Sequence, residues 1–170
     1  YIAGELNANI KAVIANHDYL KDLVEKFNIP FTCISADGMS REDHEDKMIA
    51  KINEFEPELI VLAKYMRILT PKFVDAFPKK VLNIHHSFLP AFIGANPYKQ
   101  AHERGVKIIG ATAHYVTSDL DEGPIIFQDV VRVDHSYSWE DMRNAGRNVE
   151  KIVLSNAFEM LLHDRVFVHG

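Results

Sequence analysis

Short apolar runs alternate with amphipathic stretches along the first 105 residues, and this alternation restricts the fold more than any other feature of the chain. "IKAVIAN" (10–16), "FTCIS" (31–35), "ELIVLAK" (58–64) and "KKVLNIH" (79–85) read as strands, and 58–64 as the clearest buried one. Between them the pattern turns helical. Asp18 stands where it can cap a helix running to about Phe27. Ser40, with Asp43 three residues on, makes a capping-box pattern ahead of Met48, Ile49, Ile52 and Phe55, and Pro57 closes that helix. A short helix begins at Pro71, and "NPYKQAHERG" (96–105) puts Pro97 in a first turn and Gly105 just past an end. Repeated strand–helix–strand units predict an α/β protein with a mostly parallel, open, twisted sheet and helices on both faces. At 170 residues, 47% of them apolar, the chain suits one domain with a sizeable core.

The last third reads differently. "VKIIGATAHYVTSD" (106–119) and "PIIFQDVVRV" (124–133) are two longer strands separated by "LDEG". A long helix follows from Ser138 to about Asp164, with Met142, Ala145, Val149, Ile152, Val153, Asn156, Met160 and Leu161 on its expected buried face. At the front, "YIAGELNAN" (1–9) resembles the tail of a helix, which predicts a strand and most of a helix upstream of it.

Composition narrows the function classes. The net charge is −5 with both signs interspersed, so no basic stripe favours nucleic acid. A single cysteine, Cys33, permits neither an internal disulfide nor a cysteine zinc cluster, which fits a reducing cytoplasm. No apolar run is long enough to span a membrane.

Ligands of open α/β sheets sit beyond the carboxyl ends of strands, and "NIHH" (83–86) lies at such an end. Side chains alternate along a strand, so Asn83 and His85 share a face, with His86 directed away. An amide donor and a titratable base then face one spot; the plainer reading is a strand end whose polar groups cap nearby backbone. "LDEGP" (120–124) is an acidic turn whose Asp121, taken alone, reads as solvating a loop. His114 shares a strand face with Thr112 and Val116 and reads as a hydrogen-bonded interior histidine that could also orient a carboxylate. A metal centre on His85, His86 and His114 is disfavoured, because neighbouring strand histidines diverge and no HExxH-like spacing exists. A triad on Ser87 lacks the Gly-x-Ser-x-Gly elbow. His17, His44, His102, His135, His163 and His169 read as surface or cap residues.

Recognition goes further than spacing. The stretch "NIHHSFLPAFIGANPYKQAHERGVKIIGATAHYVTSDLDEGPIIFQ" resembles the formyltransferase superfamily that uses 10-formyltetrahydrofolate, whose signature is Asn-x-His, a Pro-closed loop and an Asp before a Gly-Pro turn one strand later. Asn83, His85 and Asp121 match it in order and context, and the likeness runs from "GELNA" to "VFVHG". Within the superfamily the chain looks most like the deformylase branch, through "VLAKYMRILTP", "NIHHSFLPAFIGA", "GATAHYV" and "LDEGPII". Glycinamide ribonucleotide transformylases are similar but usually have Pro at His86 and Gly at Lys64. Asn96 departs from the Arg expected before Pro-Tyr.

The resemblance implies a Rossmann-like formyltransferase fold. It implies that residues 1–170 are a catalytic domain without the family's first strand and upstream ACT-type regulatory domain. It implies hydrolysis of 10-formyltetrahydrofolate to formate and tetrahydrofolate, supplying formate for purine synthesis. Asn83, His85 and Asp121 would be catalytic. Met66, Arg67, Ile68, Leu69, His86, His114, Thr117 and Leu120 would line the substrate site. No metal or cofactor is implied. The partners expected are a folate substrate and water, in a cytoplasmic homo-oligomer, with no nucleic acid or membrane. Two other readings stay open: formyl transfer to an amine such as glycinamide ribonucleotide, and a non-catalytic folate-binding regulatory module.

Overall fold

The computed structural model describes residues 6–92 and 96–169. In chain order the elements are β1 (Val13–Ala15), α1 (Lys21–Glu25), β2 (Phe31–Cys33), α2 (Arg41–Asn53), β3 (Ile60–Leu62), α3 (Pro71–Ala76), β4 (Val81–His85), α4 (Pro97–Glu103), β5 (Ile108–Tyr115), β6 (Ile125–Arg132) and α5 (Trp139–Leu162). They fall into two compact units. One takes the chain through Ile60 together with Ile68–Pro78; the other takes Val61–Arg67 and the chain from Lys79 onward.

In the first unit β1 and β2 pair in parallel, Val13 opposite Phe31. α1 is shorter than the sequence suggests. Its N-cap position is Leu20, which offers no side-chain cap, and Asp18 gives only its backbone carbonyl to the Lys21 N–H. α2 starts where expected, because the Ser40 hydroxyl accepts the Asp43 N–H at 3.1 Å. Its buried stripe is His44, Glu45, Met48 and Ile52. His44 is therefore not a surface residue: it is 1% exposed, and its Nε2 donates to the Ile34 carbonyl at 2.9 Å. The Glu45 carboxylate accepts the Thr70 N–H at 3.1 Å and the Thr70 hydroxyl. Thr70 in turn caps α3 through Phe73. An apolar-periodicity reading passes over both residues because their burial rests on hydrogen bonds.

Part of the helix tail expected over 1–9 lies outside the described residues, and residues 6–12 are irregular. Among the described residues, no helix is long and apolar enough to cross a membrane.

The second sheet has the order β3-β4-β5-β6. β4–β5 and β5–β6 are antiparallel, so the sheets are mixed within the expected α/β class; the parallel pair β1–β2 lies in the first unit. β3 is shorter and more exposed than the buried strand expected over 58–64, with Val61 37% exposed, as suits a strand at a sheet edge. α5 opens with the reciprocal Ser138–Asp141 capping box and packs along β5 and β6. Its buried positions are Met142, Gly146, Val149, Val153 and Ala157, whereas Ile152 is 51% exposed. The stripe differs from the expected one because small residues mark the closest approach. A Cβ on Gly146 would stand 2.2 Å from the Tyr98 ring. Tyr98, Ala101, Ile109, Val133 and Met142 form the core on that side.

Candidate active site

β4 carries Asn83 and His85, and its pairing with β5 sets Asn83 opposite His114 and His85 opposite Thr112. Directly opposed residues of antiparallel strands project from the same face, so four polar side chains gather on one side of the sheet. The loop after β4 is fastened there. The Thr112 hydroxyl donates to the Ser87 carbonyl at 2.9 Å and accepts the Leu89 N–H at 3.0 Å. The Gln128 amide donates to Thr112 Oγ1 at 2.8 Å and to the Leu89 carbonyl at 3.0 Å. The Ser87 hydroxyl is taken up by the Ala91 carbonyl at 2.6 Å, which suits a loop clasp and not a nucleophile.

Asp121 arrives from the loop between β5 and β6. The loop closes through the Tyr115 N–H, which donates to the Pro124 carbonyl at 3.0 Å. At Gly123 a Cβ would lie 1.7 Å from the Tyr115 carbonyl oxygen, so no larger residue lets the chain pass. The register shifts at Ala113/His114, a bulge that re-aims this end of the strand pair. Asp121 itself has φ +57°, a left-handed conformation that costs an L-residue about 1–3 kcal/mol and concentrates at functional sites. The result sets Asp121 Oδ2 3.3 Å from His85 Nδ1 and Oδ1 3.7 Å from His114 Nε2.

Protonation states follow from the neighbours. His114 is 2% exposed, and burial, partly offset by its bond to the Tyr115 carbonyl, holds its pKa below the ordinary value. Its Nδ1 lies 2.8 Å from that carbonyl and must donate to it, which leaves Nε2 as an acceptor. The approach of His114 to Asp121 is thus a contact and not an ion pair. Asn83 Nδ2, 3.3 Å away, donates one hydrogen to His114 Nε2 and keeps a second amide hydrogen. The hydrogen bond from His85 holds the Asp121 carboxyl below the usual carboxylate range against the cost of burial. His85 Nδ1 donates to Asp121, while Nε2 is buried with no partner among the described residues.

His86 does not diverge from His85: the ring centroids are 5.2 Å apart. β4 ends at His85, so strand alternation no longer governs the next residue. Thr117 donates to the Asp119 carbonyl at 3.2 Å within the Asp121 loop, and Leu120 is 51% exposed. Met66 and Ile68 are largely exposed, and Arg67 and Leu69 are half-buried. Asn96 has φ +55°, a conformation asparagine tolerates better than arginine. Among the described residues, no group of three His, Cys, Asp or Glu side chains is placed to hold a metal. Sequence reasoning missed Tyr98, Gln128 and Glu150, which carry no motif and matter only through their partners.

A mixed α/β fold that gathers an amide, a carboxylate-held imidazole and, among the described residues, an unpartnered ring nitrogen has the parts that acyl-group chemistry uses. A family model for formyl transferases matches residues 2–158, and the chain belongs to that family. It is 63% identical over 167 residues to a formyltetrahydrofolate deformylase of Escherichia coli O6:H1 and 55% identical over 166 residues to that of Bacillus subtilis. These matches cover 98% of this chain but 60% and 55% of the relatives, so it spans a little over half of their length. Among solved structures, a formyltetrahydrofolate deformylase from Pseudomonas syringae pv. tomato superposes with TM-score 0.95 at 47% identity, covering 99% of this chain and 56% of that one. Glycinamide ribonucleotide transformylase 1 from Symbiobacterium toebii gives 0.93 at 30% identity, with 99% and 81% covered.

Proposed function

We propose that this chain is the catalytic portion of a formyltetrahydrofolate deformylase, which hydrolyses 10-formyltetrahydrofolate to formate and tetrahydrofolate. One observation carries the reading. Among the described residues, His85 is held through Nδ1 by Asp121 and presents a buried, unpartnered Nε2 beside an amide that spends one hydrogen on His114 and keeps the other.

Water attacks the formyl carbon and gives its proton to His85 Nε2. The carbonyl oxygen gains negative charge, which the free Asn83 hydrogen stabilises by about 3 kcal/mol, or a few hundredfold in rate. The Asp121 carboxylate stabilises the imidazolium so formed and fixes the tautomer that leaves Nε2 basic. His85 then returns the proton to N10 as the C–N bond breaks, releasing tetrahydrofolate and formic acid, which gives its remaining acidic proton to solvent to become formate. His114 takes no proton; it aims the amide.

Transfer to an amine would use the same parts, and the transformylase likeness keeps that reading in view. The deformylase relatives, at 63% and 55% identity against 30% for the transformylase, favour water. Incubation of the full-length protein with 10-formyltetrahydrofolate and no amine tests the choice. Formate at a catalytic rate supports hydrolysis; turnover only on addition of an amine would transfer the assignment to a transformylase.

A further inference from the structure

Beside the reacting groups lies a cluster that the reaction as written does not use. The His86 ring stands against His85, with centroids 5.2 Å apart and planes at 33°, and against Tyr98, at 6.0 Å and 46°. Among the described residues its nitrogens make no hydrogen bond, so its contacts are those of a ring. Tyr98 is a firm wall. It is 7% exposed, its ring fills the space a Cβ on Gly146 would need, and its hydroxyl donates to Glu150 Oε1 at 2.6 Å. The other Glu150 oxygen meets Lys64 Nζ at 3.5 Å. The Glu150 side chain is 14% exposed and that of Lys64 71%, so the ammonium reaches inward to a largely buried carboxylate. Lys64 does so from a left-handed backbone, φ +53°, a conformation that persists where surrounding contacts hold it.

His85 needs such a wall. Its one polar anchor among the described residues is the 3.3 Å bond to Asp121, and a ring held at one nitrogen can swing about that bond. We infer that His86 is a positioning residue: its ring wedges His85 in place, and Tyr98, Glu150 and Lys64 form the footing of the wedge. This rests on the deformylase reading for its effect on rate, though not for its effect on the ring itself.

The test compares kcat and KM for formate release in full-length His86→Phe, His86→Ala, Glu150→Gln and Glu150→Ala. His86→Ala should lose roughly tenfold or more in kcat, and His86→Phe, which keeps a ring against His85, should lose clearly less. Gln at 150 still accepts the Tyr98 hydroxyl and should fall less than Ala. If His86→Phe is as slow as His86→Ala, the nitrogens act and the wedge is wrong. Full activity in His86→Ala, or equal losses in the two Glu150 variants, also overturns it. A parent protein that releases no formate would count against the deformylase reading alone. The wedge is then read from ¹H–¹⁵N ring spectra of His85: one Nδ1–H tautomer in the parent and His86→Phe, and mixed tautomers in His86→Ala. Unchanged His85 signals in His86→Ala would dismiss it.

Discussion

Asn83 shows how one side chain's orientation is decided by a chain of hydrogen bonds. The Tyr115 carbonyl fixes the His114 tautomer, and His114 Nε2 then takes one of the two amide hydrogens. Replacing Asn83 by Ala removes the remaining donor and should lower kcat by about 10²- to 10³-fold with the fold intact, as read by steady-state formate release and circular dichroism. Asp121→Asn should cost at least as much, because an amide can donate to His85 Nδ1 and turn the tautomer around, directing N–H toward the formyl carbon. Near-parental rates in either variant would contradict the assigned parts. Asn83 and His85 were legible from two-residue alternation at a strand end. His86 was misread because that rule was carried one residue past the end of β4, and Tyr98 and Glu150 were illegible because only tertiary contact gives them meaning.

Among the elements, the β5–β6 pair positions the carboxylate and Thr112 positions the loop after β4. Gly123→Ala would push a methyl group into the Tyr115 carbonyl and displace the Asp121 loop. Formate release should fall by about tenfold or more, a misplacement effect, while α-helical ellipticity is kept; an unaffected rate would show that the loop adapts freely. Thr112→Val leaves the Leu89 N–H and the Gln128 amide without their shared acceptor, and burying such groups unpaired costs about 1–3 kcal/mol. Urea unfolding should show that loss. The order of elements was legible from apolar alternation, and the capping-box pattern at Ser40 located the start of α2. Strand ends were overextended. The antiparallel pairing of β4 with β5 could not be read, because the direction of a strand depends on where its connection returns. The buried stripe of α5 was shifted because Gly146 and Ala157 pack by being small.

For the whole molecule, the site makes stability depend on pH. Burial, first among the causes, holds His86 and His114 below their ordinary value of 6.5, so below that pH the unfolded chain takes up protons that the folded one refuses. Asp121, depressed chiefly by its hydrogen bond from His85, acts in the same direction at lower pH: its contribution is present above 3.8 and is lost as pH falls through its folded value. Thermal stability should therefore fall as pH drops from 7.5 to 5, and His86→Phe should flatten the slope, as read by differential scanning calorimetry. A pH-independent Tm would mean that these rings are not held neutral. The central claim, that an imidazole tied to a carboxylate activates water against a formyl group, is tested most directly by supplying 10-formyltetrahydrofolate to the full-length protein without any amine and measuring formate. The account predicts stoichiometric formate and tetrahydrofolate at a catalytic rate that Asp121→Asn abolishes; formate that forms equally fast in Asp121→Asn, or only when an amine acceptor is added, would contradict it.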